Sequence, residues 1–68
     1  MDVQVERAQA LAAEAEALAD RLTAAWTAAL LAGDDAAMQR ARRVRIAAWG
    51  RRNRRQMAWA QAAGMVRL

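Results

Sequence analysis

One break divides this chain, and it falls at the middle. Gly33-Asp34-Asp35 is the only strong turn signal in 68 residues that contain no proline. Glycine is favoured just past a helix end, because it adopts the left-handed backbone without steric cost. Aspartate is favoured as an N-cap, where its carboxylate also meets the positive end of the helix dipole. On either side of the break the residues are strong helix formers. Alanine, the best of them, makes up about a third of the chain. The expectation is one all-α domain over 1–68, with helix 1 at about 3–32, a turn at 33–35 and helix 2 at about 36–63. Two helices of matched length on a tight turn form an antiparallel hairpin. So short a chain buries a thin core, and with neither cysteine nor histidine it has no disulfide or histidine–metal staple. Dimerisation into a helical bundle is the expected remedy.

Helix 1 reads as amphipathic. Leu11, Leu18, Leu22 and Ala29 share a narrow arc, Ala15 and Trp26 lie beside it, and Asp2, Glu6, Glu16 and Asp20 fall opposite. Folding back from the turn places residue i near residue 68 minus i. That selects Met38, Ile46, Trp49, Met57 and Ala60 as the core face of helix 2. A second apolar stripe, Ala41, Val44, Ala48, Trp59, Ala62 and Val66, lies away from the first. An uncovered stripe bearing a tryptophan reads as an interface, so Val44, Ala48, Trp59, Ala62 and Val66 are assigned to an oligomer or partner contact. Gly50 and Asn53 interrupt helix 2, and a kink or a close helix crossing would each account for the glycine. Ala63-Gly64-Met65 looks like a glycine cap.

Charge is divided as sharply as the helices are. Residues 1–35 carry two arginines against seven acids, a net of −5; residues 36–68 carry nine arginines and no acid, a net of +9. Dipole compensation accounts for part of this. Pairing across the hairpin accounts for little, since the acids of helix 1 are expected to point away from helix 2. Arg40, Arg43, Arg51 and Arg54 fall on one face, distinct from both apolar stripes, and such a row suits a phosphate backbone. Arg51-Arg52-Asn53-Arg54-Arg55 resembles the arginine-rich helical peptides that some viral proteins insert into RNA grooves. That resemblance implies a base-reading role for Asn53. Ala60-Gln61-Ala62-Ala63-Gly64-Met65 is similar to the opening of a helix-turn-helix, but the sequence ends at Leu68, short of a recognition helix. The second reading is a protein partner: exposed tryptophan, methionine and arginine are an interface composition. Head-to-tail contact between acidic and basic helices of two copies is a variant of it.

Catalysis lacks the means. There is no serine, cysteine, lysine or histidine, and only Thr23 and Thr27 carry aliphatic hydroxyls. Glu14 and Glu16 diverge around the helix, so they form no metal cluster with Asp20. No cofactor and no small-molecule substrate are expected. The longest uncharged stretch, Leu22 to Gly33, is too short for the ~20 residues of a spanning helix. Asp2 and Glu6 stand where a signal peptide carries positive charge. The expected setting is a bacterial cytoplasm, for a chromosomal, phage or plasmid product. In architecture the chain resembles small plasmid-encoded helical hairpins that dimerise into four-helix bundles and bind RNA.

Overall fold

The computed structural model describes residues 2–65. Two helices account for nearly all of them: α1, Val3–Leu31, and α2, Asp35–Ala62. Each begins at an aspartate. The Asp2 carboxylate accepts from the Gln4 backbone N–H at 2.9 Å, and Asp34 accepts from Ala37 N–H at 3.0 Å. Each ends in a left-handed glycine, Gly33 at φ 68° and Gly64 at φ 73°. The paired bonds there are those of a Schellman cap. Asp34 N–H donates to Ala29 C=O and Gly33 N–H to Leu30 C=O, as Met65 and Gly64 do to Ala60 and Gln61. Asp34 therefore closes α1 with its backbone and opens α2 with its side chain. The connection needs no further residue, and the expected end of helix 1 at 32 and the expected bounds of helix 2 at 36–63 each move one residue earlier.

Cross-helix bonds fix how the chain doubles back. Arg45 and Trp49 reach Thr23, while Arg52 and Gln56 reach Glu16. The residue numbers of each pair add to 68 or 72. Along α1 the shielded positions Val5, Ala8, Ala12, Ala15, Ala19, Leu22, Trp26 and Ala29 alternate steps of three and four, with Leu11, Leu18 and Thr23 shielded at the edges. That is the spacing of a coiled-coil seam, here lined mainly with alanine. Ala12, Ala15 and Ala19 are buried, Ala19 completely, and no large side chain is fully buried anywhere among the described residues. The hairpin is accordingly thin, 47 × 21 × 13 Å with a radius of gyration of 15.0 Å. A compact chain of this length would have one of about 11 Å.

The buried face of α2 differs from the one hydropathy selects. Its shielded residues are Ala37, Met38, Ala41, Arg45, Ala48, Trp49, Gly50, Arg52, Gln56, Trp59 and Ala60, and only Ala48 is buried, at 6% exposure. Ile46 and Met57, expected in the core, are 59% and 46% exposed. The face is turned by roughly 70° at 100° per residue, with Met38, Trp49 and Ala60 common to both. The reason lies in Arg45 and Arg52, whose long stems lie along the seam while their charged ends stay accessible. An apolar count rejects arginine from a core face, although its stem and planar head suit a shallow, tryptophan-flanked one. α2 also runs unbroken through Gly50. A Cβ there would meet only the Arg54 guanidinium, at 3.4 Å. Neither a break nor a close helix crossing accounts for this glycine.

Candidate nucleic-acid interface

The hairpin has two long sides with different chemistry. Successive residues lie ~100° apart, so Glu16 and Thr23 leave α1 on one side of its seam and Leu11, Leu18 and Leu22 on the other. On the first side a ladder of rings and guanidinium groups spans the helices. The Arg45 guanidinium lies 5.1 Å from the Trp26 ring centre and 5.8 Å from that of Trp49, and Arg52 lies 4.8 Å from Trp49. Such contacts contribute about 0.5–1 kcal/mol each at accessible sites. Thr23 Oγ1 donates to Ala19 C=O at 2.9 Å and accepts from Arg45 Nε and Trp49 Nε1, both at 3.2 Å. Arg52 closes the ladder with a 3.5 Å ion pair to Glu16 Oε1, while Gln56 Nε2 donates to Oε2 at 3.4 Å. Glu16 therefore turns toward α2, contrary to the expectation that the acids of α1 point away from it. Its angular position at the seam edge, combined with a long partner, brings it into reach.

These contacts sort the arginines of α2. Arg45 and Arg52 are half-buried and engaged inside the hairpin. Arg40, Arg42, Arg43, Arg51, Arg54 and Arg55 are exposed, and none of them has a carboxylate within ion-pair distance among the described residues. Arg40, Arg43, Arg51 and Arg54 follow one another at helical spacing, with Ala47 between them and Ala58 continuing the line, a continuous stripe. Arg51, Arg54, Arg55 and Ala58 line one shallow hollow. Arg51 and Arg54 also rim a second, whose floor is Leu18, Leu22, Val44, Ala47 and Ala48. From Arg40 to Arg55 the row covers roughly 22 Å at 1.5 Å per residue.

Two sets of sequence-predicted residues are separated in space. Asn53 leaves α2 roughly 120° around from the arginine stripe, at ~100° per residue. It lies across α2, where its Oδ1 accepts from Arg52 at 3.2 Å and its side chain borders a hollow with Gln56, Met57, Trp59, Ala60 and Met65. The proposed contact stripe is also divided. Ala48 is inside the hairpin and Trp59 is half-buried, while Val44 and Ala62 are exposed; Val66 lies outside the described residues. A stripe drawn on α2 alone takes no account of α1, which covers its Ala41, Ala48 and Trp59 side. Sequence reasoning passed over Arg55, and it missed Thr23 as the shared acceptor. The signal for Thr23 was present, since Thr23 and Arg45 satisfy the fold-back relation.

Among the described residues no three His, Cys, Asp or Glu side chains gather as a metal site, and no helix is long and apolar enough to cross a membrane. No protein-family profile, curated protein or solved structure matches the chain.

Proposed function

We propose that this chain is a small, non-enzymatic nucleic-acid-binding or regulatory protein, an antiparallel hairpin that self-associates and works in a bacterial cytoplasm. Arg40, Arg43, Arg51 and Arg54 hold the phosphate backbone, and Arg42 and Arg55 flank them. The observation that carries this reading is the sorting of the arginines. Those needed to join the helices are engaged with tryptophan, Thr23 and Glu16, and the other six arginines of α2 are exposed without a carboxylate partner among the described residues. Like charges at this density repel one another, and a polyanion relieves the repulsion while releasing its own counterions. The acids of α1 oppose phosphate, so the α2 side is the one presented.

A second reading, an adaptor or inhibitor docking on a larger protein, is favoured by the hollow of Asn53, Met57, Trp59 and Met65, whose methionine and tryptophan suit a protein interface.

The test is fluorescence anisotropy with labelled duplex DNA and with structured RNA across a salt series. Wild type is compared with the Arg40/Arg43/Arg51/Arg54→Ala variant. For each phosphate contacted on duplex DNA, log K is expected to fall by about 0.9 per tenfold rise in salt. The variant is expected to lose most of it. No binding by wild type at low salt refutes the reading and leaves the protein partner.

A further inference from the structure

Opposite the tryptophan ladder, the hairpin carries a shallow groove with an apolar floor and a guanidinium rim. Leu18, Leu22, Val44 and Ala47 lie in one hollow, with Arg51 and Arg54 at its edge. The next is lined by Leu11, Leu18, Arg21, Arg51 and Arg55, with Glu14 as its single acid. Leu18 and Arg51 belong to both, so the hollows adjoin. Leu11, Leu18 and Leu22 are only half-buried and Val44 is 51% exposed. The hairpin thus leaves apolar surface facing water, beside the arginines assigned to phosphate.

We infer that this groove takes the bases of a single-stranded nucleic acid while the arginines at its rim hold the phosphates. The inference rests on the nucleic-acid reading above and narrows it to an unpaired strand. Charge selects the class of occupant. Among the described residues four arginines and one carboxylate line the two hollows, a setting for an anion. The floor selects its form. A duplex turns the flat apolar faces of its bases inward and offers phosphates and groove edges, which leaves Leu18, Leu22 and Val44 without a partner. An unpaired strand exposes those faces beside each phosphate, and guanidinium planes stack on them too. Spacing agrees. From one hollow to the next the lining advances by about four residues on each helix, roughly 6 Å at 1.5 Å per residue. Bases stacked in a duplex are ~3.4 Å apart, so neighbouring bases reach neighbouring hollows only when unstacked. Apart from arginine and Glu14, the described lining offers no polar side chain, hence no amide or hydroxyl to read base edges. Binding is therefore tolerant of sequence.

Fluorescence anisotropy with the full chain tests this with three probes of equal length. They are a mixed-sequence DNA single strand, its duplex, and the same strand made largely abasic, which keeps the phosphates and lacks the bases. Wild type is expected to bind the single strand about tenfold or more tightly than the abasic one. At the high-salt end of a salt series, where phosphate attraction is weakest, it is expected to prefer the single strand to the duplex. Val44→Gln should weaken single-strand binding by about three- to tenfold at every salt concentration, with the salt slope unchanged. Arg51→Gln should instead reduce that slope, by about 0.7 for one phosphate lost on a single strand. Ile46→Gln, 59% exposed on another face of α2, should change neither. Circular dichroism shows whether each variant remains helical, and the abasic comparison on wild type decides even if Val44→Gln unfolds. Equal affinity for the single and abasic strands, a duplex preferred at every salt concentration, or a folded Val44→Gln that binds as wild type overturns the groove and leaves the arginine reading standing. No binding of any probe at low salt overturns both, and leaves the groove to an acidic, apolar segment of a protein partner.

Discussion

Gly50→Ala is expected to stabilise this protein, and Gly33→Ala to destabilise it, although the chemical change is the same. Gly50 sits in the interior of an unbroken α2. Alanine is better there by about 0.8–1.0 kcal/mol, because glycine loses more backbone freedom on entering a helix. The added Cβ meets one atom, Arg54 Nη1 at 3.4 Å, the far end of an exposed and flexible side chain. Little of the gain is lost to crowding. For a domain this small, each kcal/mol moves Tm by roughly 4–8 °C, so a rise of roughly 3–8 °C is expected. Gly33 has φ 68° with open space around it. Its alanine variant meets no neighbour but must hold a left-handed backbone, at a cost of about 1–2 kcal/mol. Thermal melts followed by far-ultraviolet circular dichroism, at one fixed protein concentration, measure both. A fall in Tm for Gly50→Ala refutes the reasoning, since something would then approach that Cβ position closely in solution.

Thr23→Val keeps the shape of the side chain and removes the shared acceptor of Arg45 and Trp49. A loss of about 1 kcal/mol is expected in chemical denaturation, with a change in tryptophan fluorescence. Asp34→Ala removes the α2 cap bond to Ala37 and is expected to cost about 1 kcal/mol. Asp34→Asn, which can still accept that bond, should recover most of it, and the same denaturation series checks both.

The helix boundaries were legible because they rest on local chemistry. Asp34, Gly33 and Gly64 each act within five residues of themselves, and capping rules address that range. α1 was partly legible: periodicity found Ala15, Leu22, Trp26 and Ala29, but a stripe centred on Leu11 and Leu18 passed over Ala12 and Ala19, the most buried residues of its seam. The buried face of α2 was not. Arg45 and Arg52 enter the seam through partners on the other helix, Trp26, Thr23 and Glu16. A hydropathy pattern taken one helix at a time scores them as solvent-facing, and that error moved Ile46 and Met57 inward and Ala48 outward. The arginine stripe could be placed from spacing alone. Which arginines were free could not, because that depends on which ones the hairpin consumes.

The alanine seam has a consequence for register. Ala8, Ala12, Ala15 and Ala19 offer α2 nearly the same surface at each step of the repeat. Sliding one helix along the other by a heptad replaces alanine with alanine over much of the contact. Small side chains set how near the helices lie, but they act as a rail without notches. The notches are polar: Thr23 against Arg45 and Trp49, and Glu16 against Arg52 and Gln56. Each is weak by itself, and a heptad slip can re-form only one set, Thr23 against Arg52 and Gln56 or Glu16 against Arg45 and Trp49, so one alignment alone makes both. In this hairpin the apolar contact supplies adhesion, and a few accessible hydrogen bonds decide which of several similar alignments the chain keeps.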